Sequence, residues 1–447
     1  MRKFISLLLV LALALTLLCG CSGKTNPEST AAAPAAATGD QAAAESTEGS
    51  AEPVHLKWAT WYVEGTPYYQ GLIDAYTAEH PNVTIELVDL GNTDYNTVLL
   101  TQLSGGADNL DIMGIKDVAG YSNLINLGML EPLSEYGKAH GLNPDDYSGT
   151  LEQLSVDNEY YMLPYVNSFW LLFYNKDLFD KAGVPYPTND MTLDDYDALA
   201  RQMTSGSGAD KVYGCHYQTW KNTVGYFGIL DGKHSIIDGS YDFLAPYYER
   251  VLAQQRDGIC MDYATLKTSS IHYAGVFYNQ QTAMIHMGNW FISMLYNTTE
   301  SGENLATNWG IVRYPHPDGV EAGTTLSTIT GIAVNSQSKN KEAACDFIHF
   351  VAGRGGAKVI AEFGQFPMIM TDEALEVITS RDLFPKDEAS REALTFTKAY
   401  LEMPMTMDAA DIETVLNECH DNIMTENVTV EEGIAEMNAG VQAILSK

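Results

Sequence analysis

The sequence predicts an α/β protein in which helices pack on the faces of a parallel sheet. The main observation is that short β-type runs alternate with helical segments where the globular part begins, in the order strand, helix, strand, helix, strand, which is typical of α/β folds. The second observation is size, because about 390 residues remain after an N-terminal segment is set aside, more than one hydrophobic core usually holds. We therefore expect two domains, or one body with two lobes.

The first residues of the chain have the pattern of an export signal. Arg2 and Lys3 precede an uncharged apolar run from Phe4 to Leu18. This run has the length of the apolar centre of a signal peptide and is shorter than the ~20 residues that a membrane-spanning helix needs. We predict that residues 1–20 are removed, and a short retained membrane anchor is the alternative.

Residues 21–53 consist mainly of Ala, Ser, Thr, Gly, Pro and Glu and contain no large apolar side chain. Such a segment buries too little surface to offset the conformational entropy that is lost on ordering. We therefore predict a disordered tether that leads to a globular part beginning near Val54.

The first elements of the globular part follow from the spacing of apolar side chains. VHLKWATWY is a β-type run, and PYYQGLIDAYTAEHP then carries apolar side chains at helical spacing. VTIELVD alternates apolar and polar residues, as a half-exposed strand does. YNTVLLTQLSGG predicts a second helix that ends at its glycines, and LDIMGI predicts a third strand.

Three later segments predict helices with a defined start or a defined apolar face. Thr192, followed by Asp195 three residues later, has the residue types of a helix N-cap. KNKEAACDFIHFVAG places four apolar side chains on one helix face, and VEEGIAEMNAGVQAILSK carries an apolar stripe to the end of the chain. The sequence shows no internal repeat and no coiled-coil run.

The charge and the motifs of the chain argue against several classes of function. The formal net charge of −33 argues against nucleic acid as a partner. The sequence contains no serine-hydrolase, zinc-protease or phosphate-loop motif, and its histidines lack metal spacing, so we predict no catalytic residue, no metal and no cofactor. Cys215, Cys260, Cys345 and Cys419 are expected to be small buried residues, although export would permit one or two disulfides.

Four segments occur in the order LFYNKDLFDKAGV, QQTAMIHMGNW, GIAVNSQSKNKEAACDFIHFV and VTVEEGIAEMNAGVQAIL. Together they resemble bacterial extracellular solute-binding proteins, the family that includes the maltose-binding protein and many sugar-binding lipoproteins. In addition, LCGC at residues 18–21 resembles the lipobox of bacterial lipoproteins. That resemblance implies that Cys21 becomes the first residue and carries the lipid.

The family resemblance implies a two-lobed periplasmic-binding-protein-like fold, in which each lobe has a mainly parallel sheet flanked by helices. Lobe I is expected to comprise residues 54–163 and 329–370, and lobe II residues 164–328 and 371–447. Hinge crossings are expected near LPYV, TLSTITG and FPMIM. A ligand would bind in the cleft between the lobes, where small-molecule sites tend to lie.

The same resemblance implies a monomeric solute-binding lipoprotein of an ABC importer. It would be anchored by lipid to the outer face of the cell membrane, capture a small solute by hinge closure and deliver it to the permease subunits. We expect a mono- or oligosaccharide as the ligand and no enzymatic activity. Two alternatives stay open from the sequence: a ligand sensor for a membrane receptor, and a surface enzyme that acts on glycans.

Candidate ligand-binding residues combine aromatic rings, which contact the C–H faces of sugars, with polar groups that bind hydroxyls. Trp290 is the leading candidate, because it follows an apolar strand, where we expect a loop, and it matches a family position that often stacks on ligand. The alternative for Trp290 is core packing. Trp61 and Glu64 follow the first strand, and ligands of α/β sheets lie beyond the carboxyl ends of strands. The other candidates are Asp117, Asn167, Trp170, Trp220, Thr330 and Gly331.

Each of these other residues is a candidate for a separate reason. Asp117 follows the third strand, and a helix N-cap is the alternative. Asn167 and Trp170 follow the hinge-like LPYV, and Asn167 matches a ligand-contacting position that is acidic in the maltose-binding protein. Trp220 is a large ring in a polar loop. At the second crossing, Thr330 and Gly331 are expected to offer hydroxyl and backbone contacts.

Overall fold

Two long strands in the middle of the fold each pair with several other strands. The structure is a computed structural model that describes residues 52–447, except residues 107, 108 and 148. The predicted export signal, the predicted lipid-bearing Cys21 and residues 21–51 of the predicted tether lie outside the described residues.

The strands of the described part of the chain begin at Val54. They are β1 Val54–Thr60, β2 Val83–Asp89, β3 Ile112–Ile115, β4 Leu163–Asn175, β5 Tyr213–His216, β6 Thr282–Gly288, β7 Trp309–Arg313, β8 Thr324–Val334 and β9 Lys398–Leu401.

Helices fill most of the intervals between the strands. They are α1 Tyr68–Glu79, α2 Tyr95–Gly105, α3 Val118–Asn126, α4 Ser134–Ala139, α5 Thr150–Leu154, α6 Lys176–Ala182, α7 Leu193–Met203, α8 Ala245–Arg256, α9 Tyr263–Thr268, α10 Tyr273–Tyr278, α11 Trp290–Ser301, α12 Lys341–Ala352, α13 Arg354–Glu362, α14 Asp372–Ser380, α15 Glu388–Glu392, α16 Ala409–Met424 and α17 Val430–Leu445.

The strand order is β2-β1-β3-β8-β4-β6-β5, with β7 also paired to β4 and β9 also paired to β8. The chain is therefore an α/β protein, as the sequence predicts, and the initial β1-α1-β2-α2-β3 order is confirmed. The sheets are less parallel than expected. The β1–β2, β1–β3, β5–β6 and β8–β9 pairs are parallel, but every pair that β4 makes is antiparallel, and so is the β3–β8 pair. The reason is that β4 and β8 run in opposite directions through the middle of the molecule.

Strand β4 passes from one group of strands to the other. Its first part, Leu163–Phe169, pairs with β8, whereas Trp170–Asn175 pairs with β6 and β7. A third segment lies alongside, because the N–H of Asn167 donates to the carbonyl of Phe366 over 2.8 Å. These three segments coincide with the three expected hinge crossings, and the exact lobe boundaries stay a prediction.

The predicted helix faces and ends are confirmed. In α1, α12 and α17 the apolar side chains at helical spacing are buried. Helices α1, α12 and α13 share one hydrophobic core with β1 and β8, and α2 and α3 cover the opposite side of the same strands. Thr192 and Asp195 form the capping box at the start of α7. The buried faces of these helices thus follow from the local spacing of apolar residues.

The four cysteines of the globular part, Cys215, Cys260, Cys345 and Cys419, are buried and free of disulfides. The expectation of small buried residues is confirmed, and the disulfides that export would permit are not formed here. Among residues 52–447, no helix has the length and apolar character needed to cross a membrane.

Candidate functional site

A cavity of about 800 Å³ lies where the carboxyl end of β1 meets β4, β8 and helix α16. Its size is within the range of pockets that enclose small-molecule ligands, about 300–1,000 Å³. The wall is rich in aromatic rings, including Trp61, Tyr62, Tyr69, Trp220, Tyr273 and Trp290. The chain therefore brings rings from distant segments to one concave surface.

Trp61 lies directly after β1, on the side of the cavity formed by the first group of strands. Its ring packs edge-on against Tyr95, with 5.0 Å between ring centres. The Nζ atom of Lys116 lies 5.9 Å from the centre of the Trp61 ring and donates to the side chain of Asn92 over 2.8 Å. Burial lowers the pKa of Lys116. Trp61 thus has one cation above it and a half-buried ring on the cavity wall.

Trp290 lies on the opposite side of the cavity, at the first residue of α11. The predicted loop is therefore wrong, because the chain leaves β6 through Gly288 and Asn289 directly into a helix. A Cβ atom at Gly288 would lie 1.9 Å from the Trp290 ring, so the ring packs on a residue without a side chain. The indole N–H of Trp290 donates to the Tyr273 hydroxyl over 3.1 Å. The ring is half-buried and held in place.

Trp220 contacts the same tyrosine. The rings of Trp220 and Tyr273 pack edge-on, with 5.7 Å between their centres. Tyr273 is buried at the start of α10 and connects the two tryptophans of this wall. Sequence reasoning missed Tyr273, because an aromatic residue in an apolar helix is typical of a core.

Asp117 lies on the cavity wall and caps helix α3 at the same time. Its carboxylate accepts from the N–H of Gly120 over 2.7 Å and from the side-chain amide of Asn96 over 3.0 Å. Burial raises the pKa of Asp117. The two alternatives considered from the sequence, an N-cap and a cleft acid, therefore describe one position.

The other candidates differ in their position. Thr330 lines the cavity, but Glu64, Asn167, Trp170 and Gly331 do not. Glu64 is exposed, and Gly331 lies in the β8 pairing, where a Cβ would be 2.5 Å from the sulfur of Met162. Trp170 is only 1% exposed, and the Asn167 carbonyl accepts from the Asn289 amide. Residues 167 and 170 lie in strand β4 but do not line the cavity, whereas Val166 and Ser168 of the same strand do.

Glu402 is a wall residue that the sequence did not reveal. It follows the short strand β9, and its carboxylate accepts from the indole N–H of Trp170 and from the amide of Asn222 over 2.7 Å. Burial raises the pKa of Glu402 to about 7. No motif marks this residue, because its neighbours come from segments about 180 and 230 positions away in the sequence.

Most of the other charges on the wall are paired. The ammonium group of the buried Lys221 contacts Glu413 and also donates to Asn417 over 3.1 Å. Lys267 lies 3.0 Å from the carboxylate of Asp421, which also accepts from the hydroxyl of Tyr263. Two of the three lysines on this wall are thus paired, and the carboxylates outnumber the lysines by five to three. Such a surface suits an uncharged ligand with hydroxyl groups better than an anion.

The residues that the structure describes include no group of three or more His, Cys, Asp or Glu side chains that could hold a metal ion. The chemistry that the wall does offer is ring stacking and hydrogen bonding.

The chain is similar in sequence to known binding proteins. The model of the family described as "Bacterial extracellular solute-binding protein" matches residues 61–358. A galactooligosaccharide-binding protein of Bacillus subtilis (strain 168) is 24% identical over 287 residues, 58% of this chain and 62% of that protein. A protein of Brucella abortus (strain 2308), named as a candidate binding protein, is 26% identical over 187 residues, 40% of this chain. The matched part spans only 43% of that Brucella protein's length.

Solved structures match over a larger part of the chain. A sugar transporter of Rhizobium etli in an open conformation has a TM-score of 0.74 and 51% identity, covering 87% of this chain and 99% of that one. An ABC substrate-binding protein of Listeria monocytogenes in complex with cycloalternan has a TM-score of 0.76 and 22% identity, covering 88% and 100%. At the lower identity the likeness concerns the fold alone.

Proposed function

The chain belongs to the bacterial extracellular solute-binding proteins, and from this premise we propose that it is the solute-binding lipoprotein of an ABC importer for a neutral carbohydrate. Proteins of this family bind a solute and do not transform it. The protein thus captures its ligand outside the cell and releases it to a permease in the membrane.

The observation that carries this proposal is the composition of the cavity wall. Trp61 lies on one side, and Trp220 and Trp290 lie on the other. Ring faces of this kind pack on the C–H faces of a sugar. Lys221 and Lys267 are each paired with a carboxylate, so an anion that bound at either lysine would have to replace an existing ion pair. A hydroxyl-rich neutral molecule needs only hydrogen bonds.

The ligands of similar proteins support a carbohydrate. The Bacillus subtilis relative is named for galactooligosaccharides, and the Listeria monocytogenes structure contains cycloalternan. Another structure of the same fold, at 18% identity, contains mannotriose. The cavity volume of about 800 Å³ suits an oligosaccharide better than a single sugar ring, because it lies near the upper end of the range for small-molecule pockets.

Capture would occur by movement of two lobes around the three adjacent segments of the middle of the molecule. We propose lobes at residues 54–163 plus 329–370 and 164–328 plus 371–447, because β4 and β8 pass from one to the other. A few strand residues that absorb a change in φ and ψ are enough for such a hinge. The closed form would then be the one that docks on the permease.

The N-terminus would hold the protein at the membrane. We propose that residues 1–20 are removed, that Cys21 carries the lipid and that residues 21–53 form the tether. One acyl chain alone binds a membrane only marginally, so stable anchoring of this kind needs more than one chain.

A ligand screen with the purified protein tests the proposal. The panel contains maltose, maltotriose, mannotriose, galactotriose, and glutamate and spermidine as charged controls. A ligand at 100 times its dissociation constant adds about 2.7 kcal/mol to the free energy of unfolding, which raises the thermal midpoint measurably. We expect a sugar to do this and the charged controls not to.

Chromatography of the same sugars after long incubation separates binding from catalysis. We expect the sugar to be recovered unchanged. Release of shorter sugars would favour a glycan-acting enzyme, and stabilisation by glutamate or spermidine alone would contradict a carbohydrate ligand.

A further inference from the structure

Tyr62, next to Trp61, has an unusual backbone conformation. Its φ angle is +53°, in the left-handed region that residues with large side chains rarely adopt. The surrounding turn holds this conformation, because the carbonyl of Tyr62 accepts from the N–H of Gly65 over 3.2 Å. The N–H of Val63 donates to the carboxylate of Asp89 over 3.1 Å, which fixes the turn to the end of β2. Strain that the surrounding contacts maintain in this way is concentrated at functional sites in proteins.

The ring of Tyr62 occupies the space that a side chain at position 65 would need. A Cβ atom at position 65 would lie 2.0 Å from Cε1 of the ring and 2.2 Å from Cζ. The backbone of the turn and the glycine thus set the direction of the ring together. Tyr62 lines the cavity and is still 42% exposed, which makes it one of the few large hydrophobic residues that are exposed in the described part of the chain.

Residues from the other side of the cavity lie within electrostatic range of Tyr62. Burial, Glu64 and Glu303 raise the pKa of Tyr62, and Glu303 follows α11, the helix that begins at Trp290. Tyr62 also lies within electrostatic range of Tyr273, the residue that contacts both Trp220 and Trp290. The loop after β1 therefore places this ring on the same cavity as Trp220, Tyr273 and Trp290.

We propose that Tyr62 is a ligand-binding residue that covers the mouth of the cavity and contributes to the choice of solute. This inference rests on the proposed function and adds a contact that the sequence did not predict. The ring packs on the outer C–H face of a sugar unit whose inner face lies toward Trp290 and Tyr273. A glycine would adopt the same backbone conformation without strain, so the tyrosine is explained by what its ring contacts rather than by the turn.

The test compares three variants in affinity and in stability without ligand. Tyr62→Gly removes the ring and relieves the backbone, so the unfolding midpoint without ligand should stay the same or rise. The dissociation constant for the best-bound sugar among maltotriose, mannotriose and galactotriose should increase about tenfold or more, the scale expected for the loss of an aromatic anchor. Gly65→Ala should weaken binding as well, because the added Cβ displaces the ring while Tyr62 is still present.

Tyr186→Ala is the matched control. Tyr186 is 40% exposed, nearly the same as Tyr62, and lies outside the cavity. It should leave the affinity unchanged. Wild-type affinity of Tyr62→Gly would overturn the proposal, and so would a lower midpoint of Tyr62→Gly with unchanged binding, because the ring would then serve packing only. A wild-type protein that binds none of the three sugars would instead overturn the proposed function.

Discussion

At the scale of single residues, burial shifts the pKa values of ionisable groups on the cavity wall. It lowers the pKa of Lys116 and raises the pKa values of Asp117 and Glu402. Each of these groups has hydrogen-bond partners that partly offset the loss of water. The wall therefore combines buried surface, on which a sugar ring could stack, with polar groups that could orient the sugar's hydroxyl groups.

Replacing Trp290 by alanine should reduce affinity far more than stability. The ring lies on the cavity wall, half-buried, so its loss should weaken sugar binding at least tens-fold, as measured by calorimetry. The unfolding free energy should fall by less than the about 3–5 kcal/mol that a buried tryptophan costs. Trp309→Ala is the control, because Trp309 is 3% exposed in β7, away from the cavity, and should lose stability with little effect on affinity. The reverse pattern would mean that Trp290 is a packing residue.

Replacing Glu402 by glutamine should remove a pH dependence of stability. The pKa of this carboxyl is raised from 4.5 to about 7, so the folded state keeps a proton that the unfolded chain has lost. The unfolding free energy is therefore lowered as pH rises through this range, by about 3 kcal/mol in total. Urea unfolding at pH 5 and pH 8 should show a smaller decrease for Glu402→Gln than for the wild type. Glu418→Gln, an exposed position on α16, should behave as the wild type, and equal slopes in all three proteins would contradict the expectation.

At the scale of elements, hydrogen bonds at the helix ends fix where helices begin. Thr192 at α7 and Thr429 at α17 each form a capping box with an acidic residue three positions later. Helix α17 then packs on α16, whose other residues reach the cavity. The start of α17 thus supports the site from behind without touching ligand.

Thr429→Ala should destabilise the protein by about 1 kcal/mol, because it removes the side chain that accepts from the N–H of Glu432. Sugar affinity should not change. Urea unfolding and calorimetry measure the two effects. Thr414→Ala, in the exposed middle of α16, should be neutral, since alanine is the better helix former there. Equal losses in the two variants would mean that the cap contributes nothing specific.

At the scale of the whole molecule, the sheets are joined through β4, β8 and the segment that begins at Phe366. Only these few strand residues would have to change conformation for the two sides of the cavity to separate. The cavity lies beside the same segments, so ligand contacts on both sides would favour the closed form.

Small-angle scattering should therefore show a smaller radius of gyration when the best-bound sugar is added at saturation. The physical reason is that a ligand held between two lobes would bind the closed form more tightly than the open one. Trp290→Ala at the same sugar concentration should show a smaller change, because less of it is bound. A wild-type profile that does not change at saturation would argue for a rigid site.

Cys21→Ser should detach the protein from membranes or leave its signal uncut, because the lipid would have no attachment site. Cys19→Ser should leave the protein membrane-bound, since residue 19 would depart with the signal. Cell fractionation and fatty-acid labelling measure both variants. Membrane retention of Cys21→Ser together with normal labelling would contradict the proposed anchor.

The sequence by itself determined the α/β class, the early strand and helix order and the faces of α1, α12 and α17. These features depend on side chains within one or two turns or along one strand, so the spacing of apolar residues is enough to predict them. The N-cap at Thr192 could likewise be predicted from the sequence, because the cap and its partner are three residues apart.

Tertiary structure alone decided which residues share the cavity. Trp61, Trp220 and Trp290 were predicted candidates, but whether a ring lines a cleft or a core depends on segments more than a hundred residues away. Trp170, in β4, lies behind the wall and donates to Glu402 there. Glu402 and Tyr273 have no local signal, since their roles come from the packing of β9 and α10 against distant strands and helices. The local spacing of apolar residues determines the helices and strands, whereas long-range packing determines which residues form the site.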